Sequence, residues 1–110
     1  MSAEEDECPR FRSLIQGLAA RQMLLEKGAI TSYDFYKCYS KYRPRFKPSD
    51  AARLFYLLRR LGLIVEVGVE KSSRGGFDRH LYAIAPGRED DPAWVNPAFA
   101  VYGERYKPRR

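Results

Sequence analysis

Between Lys37 and Arg60 the chain places eight basic residues, Lys37, Lys41, Arg43, Arg45, Lys47, Arg53, Arg59 and Arg60, against Asp50 alone. Guanidinium and ammonium groups stay positive at neutral pH. A band this dense is therefore a binding chemistry for a polyanion, most often nucleic acid, rather than a reaction chemistry. The competing use is a solvated basic surface, and charge alone does not separate the two. At 100° per residue Ser49, Arg53, Tyr56 and Arg60 fall within about 60° of one another, with Ala52 beside them. A helix through this stretch would carry one polar, basic side bearing a single aromatic.

The other chemistries are poorly served. The 110 residues hold one histidine and two cysteines. No carboxylate pair stands with His80, and there is no nucleophile motif. Gly75 and Gly76 sit between two strand-like segments rather than ahead of a helix, so they are not a phosphate-binding loop. Neither catalysis nor a cofactor is expected. Cys8 and Cys38 are thirty residues apart with His80 far from both, a spacing that gives no metal site. For the cysteines, a disulfide and a pair of thiols both stay open. A helix-core position for Cys38 favours a buried free thiol.

Lys and Arg total 20 against 14 Asp and Glu, a net charge of +6, with an isoelectric point near 9.5. Glu4, Glu5, Asp6 and Glu7 cluster at the start, so the remainder carries about +10. Hydrophobic residues make up 45 % and aromatics 14 %, enough for a core in one domain. No apolar run approaches the roughly 20 residues that span a bilayer. The acidic start lacks the apolar segment of a secretory signal, so a cytoplasmic, intracellular protein is expected.

These residues need elements to position them. Pro9 suits the first position of a helix, which Phe11, Leu14, Ile15, Leu18 and Leu25 continue at helical spacing until Gly28. A second helix opens with Thr31 or Ser32 as N-cap and Asp34 in its first turn. Phe35, Cys38, Tyr39 and Tyr42 form its apolar stripe, and Pro44 ends it near Tyr42. The third runs from Pro48 to Gly62 with Ala51, Leu54, Phe55, Leu58 and Leu61 inward. Next comes a strand, LIVEVGVEK, with Leu63, Val65, Val67 and Val69 on one side. A glycine turn and a returning strand, RHLYAIA, follow. From Pro86 the composition shifts to prolines, an acidic cluster, scattered aromatics and a basic end, which reads as an irregular extension without a core of its own. The division is an acidic stub over 1–8, a domain over 9–86 and an extended tail over 87–110.

The segments ITSYDFYK, AARLFYLLRRLGLI and RHLYAIAPG, in this order and spacing, resemble the winged helix-turn-helix superfamily over about residues 10 to 86. The resemblance implies an α+β fold of three helices followed by a two-stranded β-hairpin wing. The connection RPRFKP is longer and more basic than the commonest turn of such proteins.

In proteins of this fold the third helix usually enters the major groove of DNA, where arginine can donate two hydrogen bonds to guanine. The resemblance assigns that role to Ser49, Ala52, Arg53, Tyr56 and Arg60. Lys41, Arg43, Arg45 and Lys47 would contact phosphates. Arg74 and Arg79 would be wing contacts to a narrow groove or the backbone. Against these stand solvated arginines on an exposed helix and an ordinary basic hairpin tip. His80 is expected on a strand facing solvent, and Tyr33, Tyr36, Tyr39 and Tyr42 in helix packing, the alternative being stacking on bases.

The reading is thus a transcriptional regulator or other DNA-associated protein binding double-stranded DNA. A homodimer through the first helix or the tail is expected by analogy. The first alternative is a structural RNA-binding component of a ribonucleoprotein, its aromatic, basic tail threading along RNA. The second is a winged-helix protein-interaction module, for which Leu57 and the tail aromatics are the only hint.

Overall fold

The computed structural model describes residues 8–71 and 78–103. It is an α+β fold built from α1 (Gln16–Lys27), α2 (Ser32–Tyr39), α3 (Pro48–Arg60), β1 (Ile64–Glu70), β2 (Arg79–Ile84), a 3-10 turn (Pro92–Trp94) and α4 (Pro97–Tyr102). The strands β1 and β2 pair antiparallel. On the other edge of β2, Ile30 bridges to Tyr82, tying the α1–α2 link to the hairpin.

The capping residues act as their types dictate. The Thr31 hydroxyl accepts from the Asp34 N–H at 3.0 Å, and the Asp34 carboxylate accepts from the Thr31 N–H at 2.9 Å. This reciprocal pair satisfies two donors at the start of α2. Asp50 likewise accepts from the Lys47 N–H at 2.8 Å ahead of α3, which has Pro48 in its first turn. Gly62 ends α3 with φ +73°. There the Gly62 N–H reaches the Arg59 carbonyl and the Leu63 N–H reaches Leu58, both at 3.0 Å. Those two bonds form a complete Schellman stop, which needs the left-handed residue only glycine adopts freely.

The first helix differs from the expected one. It starts at Gln16, and residues 8–14 run as an arm instead. The arm is held because Phe11 buries its ring among Phe35, Tyr39 and Tyr42, at centroid distances of 5.5 to 6.1 Å. Gln22 clasps the arm by accepting from the Arg12 N–H and donating to the Arg10 carbonyl, both at 2.9 Å. A disulfide joins Cys8 to Cys38, with Cα atoms 5.3 Å apart. The expected buried thiols are thus a cross-link, because the folded-back arm brings Cys8 over α2. The buried face of α1 is also shifted: Gly17, Ala19, Ala20, Met23 and Leu24 are inside, whereas Ile15 and Leu25 are exposed.

α2 ends at Tyr39, earlier than Tyr42. The chain tightens there, with the Lys41 and Tyr42 N–H groups bonding three residues back. In the connector Phe46 turns inward, its ring 4.7 Å from Tyr39 and 5.7 Å from Phe35.

The hairpin faces are also not those read from alternation. Leu63 is buried, but Val65, Val67 and Val69 are exposed. The inner face is made by Ile64 opposite Ile84 and by Tyr82, whose ring lies 5.9 Å from Phe55. Leu63 belongs to the helix stop, so the strand period begins one residue later, and an irregularity between Glu66 and Gly68 shifts it again.

The extension after Pro86 is folded onto the domain through Gly103; it builds no core of its own and adds to the main one. Trp94 is 1 % exposed and is part of the main core. Its indole N–H donates to the Arg88 carbonyl at 2.8 Å. Arg88 donates to Asp91 at 3.0 and 3.2 Å and to the Leu61 carbonyl at 3.2 Å, fastening the segment to the end of α3. Arg21 of α1 donates to the Glu89 carbonyl and pairs with Asp90 at 3.2 Å. Gly17 makes the slot: a Cβ there would lie 1.9 Å from the Trp94 carbonyl oxygen. α4 then packs on α3 and helps bury Leu57.

Candidate nucleic-acid interface

The side of α3 away from the core is set by the same helical period that buries Ala51, Leu54, Phe55, Leu57 and Leu58. Ser49, Ala52, Arg53, Tyr56 and Arg60 are all exposed on it. Tyr56 is 53 % exposed, and Arg60 donates to its hydroxyl at 3.5 Å, one turn away. These two side chains therefore stand together. Arg53 lies toward the opposite flank, at the rim of a cavity of about 620 Å³ shared with Leu57, Val95 and Pro97. The C-terminal segment thus borders the face on that side.

Lys41, Arg43, Arg45 and Lys47 are exposed along the connector, held there by the inward anchor of Phe46. Arg43 also touches the Tyr39 hydroxyl. The Tyr39 proton is held more tightly than usual, first because the ring is buried, with Arg43 partly opposing that effect. The same hydroxyl donates to the Leu14 carbonyl.

On the other side of α3 is the hairpin. Arg79, at the start of β2, places its guanidinium 4.3 Å from the centroid of the Tyr33 ring of α2. Lys37 approaches that ring at 5.6 Å. His80 is exposed, as expected, and its Nδ1 lies 3.0 Å from Glu66 Oε1. Arg74 lies outside the described residues.

Between α2, α3 and β2 runs an open groove of about 390 Å³, reached by Tyr33, Ala52, Tyr56, Arg59 and Arg79 and floored by Phe55 and Tyr82. Arg59 is the residue that sequence reasoning did not assign to a site, and Tyr33 the one for which it favoured helix packing over a binding role. Arg59 is three residues beyond Tyr56, on the edge of the α3 face that turns toward the hairpin. Its partner wall cannot be placed until β2 is.

The cations of this surface share one property. Among the described residues, Lys41, Arg43, Arg45, Lys47, Arg53, Arg59, Arg60 and Arg79 form no ion pair. Unneutralised like charges spread over α3 and both its flanks repel one another and make a positive potential that an anion relieves. Among the described residues no cluster of histidine, cysteine, aspartate or glutamate could hold a metal ion. No helix there is long and apolar enough to cross a membrane. No family model, curated protein or solved structure matches the chain.

Proposed function

We propose that the chain is a winged-helix protein that binds double-stranded DNA, with α3 as the helix presented to the major groove and the β1–β2 hairpin as the wing. The observation that carries this reading is the outward face of α3. Its five residues are all exposed, and cations that form no ion pair among the described residues flank it on the connector side and the hairpin side. An α-helix fits the major groove, and Arg53 and Arg60 supply donors suited to guanine edges. Lys41, Arg43, Arg45 and Lys47 supply the sequence-independent phosphate contacts that position such a helix. The wing role covers Arg79 and, by sequence, Arg74.

The RNA reading drew on an extended aromatic tail. Through Gly103 that segment is folded on the domain with Trp94 in the core and Phe99 and Tyr102 exposed, while its basic end lies outside the described residues. The interaction-module reading drew on Leu57, which is buried, and on the tail aromatics, of which Phe99 and Tyr102 are exposed.

The test is the double variant Arg53→Ala plus Arg60→Ala, followed by fluorescence anisotropy with labelled duplex at two salt concentrations. Each side chain is exposed, so the fold should be kept while affinity falls more than tenfold. Unchanged affinity in the folded double variant would remove α3 from the interface.

A further inference from the structure

We infer that the groove between α2, α3 and β2 receives one phosphodiester of the nucleic-acid backbone, gripped by Arg59 from the α3 wall and Arg79 from the β2 wall, with Tyr33 positioning Arg79. The inference rests on the proposed duplex-binding role and names a contact within it.

Tyr33 supplies the first support. An exposed arginine ordinarily samples many rotamers, and ordering it on binding costs free energy. Here the guanidinium is already laid over a ring at 4.3 Å, a cation–π contact that restricts it before any ligand arrives. The second support is charge. Arg59 and Arg79 both line the groove, and neither has an ion pair among the described residues. The groove's own acid, Asp78, is engaged by Lys71 at 3.4 Å, and Glu66 is turned to His80. Two cations facing one cavity repel each other, and a bridging anion reverses the sign.

Guanidinium forks match the paired oxygens of a phosphate, which favours that anion. Continuity favours the backbone as its source: Tyr56 lines the groove and also stands on the exposed face of α3. A strand passing along that face meets the groove mouth next. The inorganic phosphate ion shares the chemistry, so the experiment includes it.

The measurement is duplex affinity across a salt series, because each phosphate contact contributes about 0.9 to the slope of log K against log salt. Because one phosphodiester is shared, Arg59→Gln and Arg79→Gln should each lower the slope, and the double variant should lower it by about 0.9 in all, with secondary structure unchanged. Tyr33→Leu should lower it as Arg79→Gln does although it removes no charge, and Tyr33→Phe, which keeps the ring, should restore it. A Tyr33 that only supported packing would change stability without changing the slope. If Tyr33→Leu fails to fold, the arginine variants and Tyr33→Phe still decide. Duplex binding with a wild-type slope in both arginine variants overturns the groove assignment and leaves the role of α3 standing. A wild-type protein that binds no duplex overturns both. A phosphate titration followed by NMR provides the last arm. Saturation of the Arg59 and Arg79 side-chain signals by inorganic phosphate, with the duplex slope unaltered by either substitution, assigns the groove to a free anion and overturns the backbone contact.

Discussion

Two sets of arginines divide this molecule. Arg21 and Arg88 are turned to the C-terminal segment, where each donates to a carboxylate and to a backbone carbonyl. Arg53, Arg59, Arg60 and Arg79 surround the outward side of α3 and, among the described residues, meet no carboxylate. The residue type is the same, and the acids decide its use. Asp90 and Asp91 stand within the segment that Arg21 and Arg88 fasten, whereas the band from Lys37 to Arg60 has Asp50 alone, and Asp50 faces the N–H of Lys47. Paired arginines fasten the C-terminal segment to the fold; the others are exposed and form no ion pair among the described residues.

Removing what the paired set fastens should have the largest effect. Trp94→Ala takes a large side chain from the core and should cost about 3–5 kcal/mol in chemical denaturation. Molecules that remain folded should bind duplex as before. A loss of affinity in the folded fraction would mean that the two regions are not independent.

The next comparison exchanges one arginine from each set. Arg88→Gln should cost about 1–2 kcal/mol, since it deprives Asp91 and the Leu61 carbonyl of a charged donor. Arg60→Gln should change stability by less than about 0.5 kcal/mol and weaken duplex binding instead. The contrast is read by thermal melts and anisotropy on the same samples, and it breaks if both variants move both quantities together.

The smallest expected effect is on acidification. The Ala93 N–H, aided by Arg88 and partly opposed by desolvation, holds the Asp91 carboxyl below the usual carboxylate range. A folded value below the unfolded one gives stability that is present above the unfolded pKa, near 3.8. That stability is lost as pH falls through the folded value. Trp94 fluorescence should therefore report a loosening of the segment below about pH 4, and Asp91→Asn should flatten that part of the curve.

The sequence was most legible where local chemistry decides the structure. Thr31 with Asp34 announces the start of α2, Gly62 after the arginine pair announces the end of α3, and the helical period of α3 alone sorts its buried and exposed sides. The candidate face followed from that sorting. Where distant partners decide, sequence reasoning misplaced the structure. Phe11 and Pro9 fit a helical pattern, but the aromatic cluster of Phe35, Tyr39 and Tyr42 draws Phe11 into an arm. Nothing in the local sequence marks Gly17, whose lack of a Cβ is what admits the Trp94 backbone. Val65, Val67 and Val69 alternate as a buried face would, yet the strand period is reset by the helix stop before it. Arg59 and Tyr33 gain meaning only once α3 and β2 face each other across the groove.

The bond between Cys8 and Cys38 closes a ring of chain that contains the whole of α1. A protease cutting once anywhere from residue 9 to residue 37 would therefore leave two fragments that migrate as one species until a reductant is added. The Gly17 slot and Arg21 lie inside that ring. A nicked molecule would thus keep the docking surface of its C-terminal segment covalently joined to the remainder of the fold.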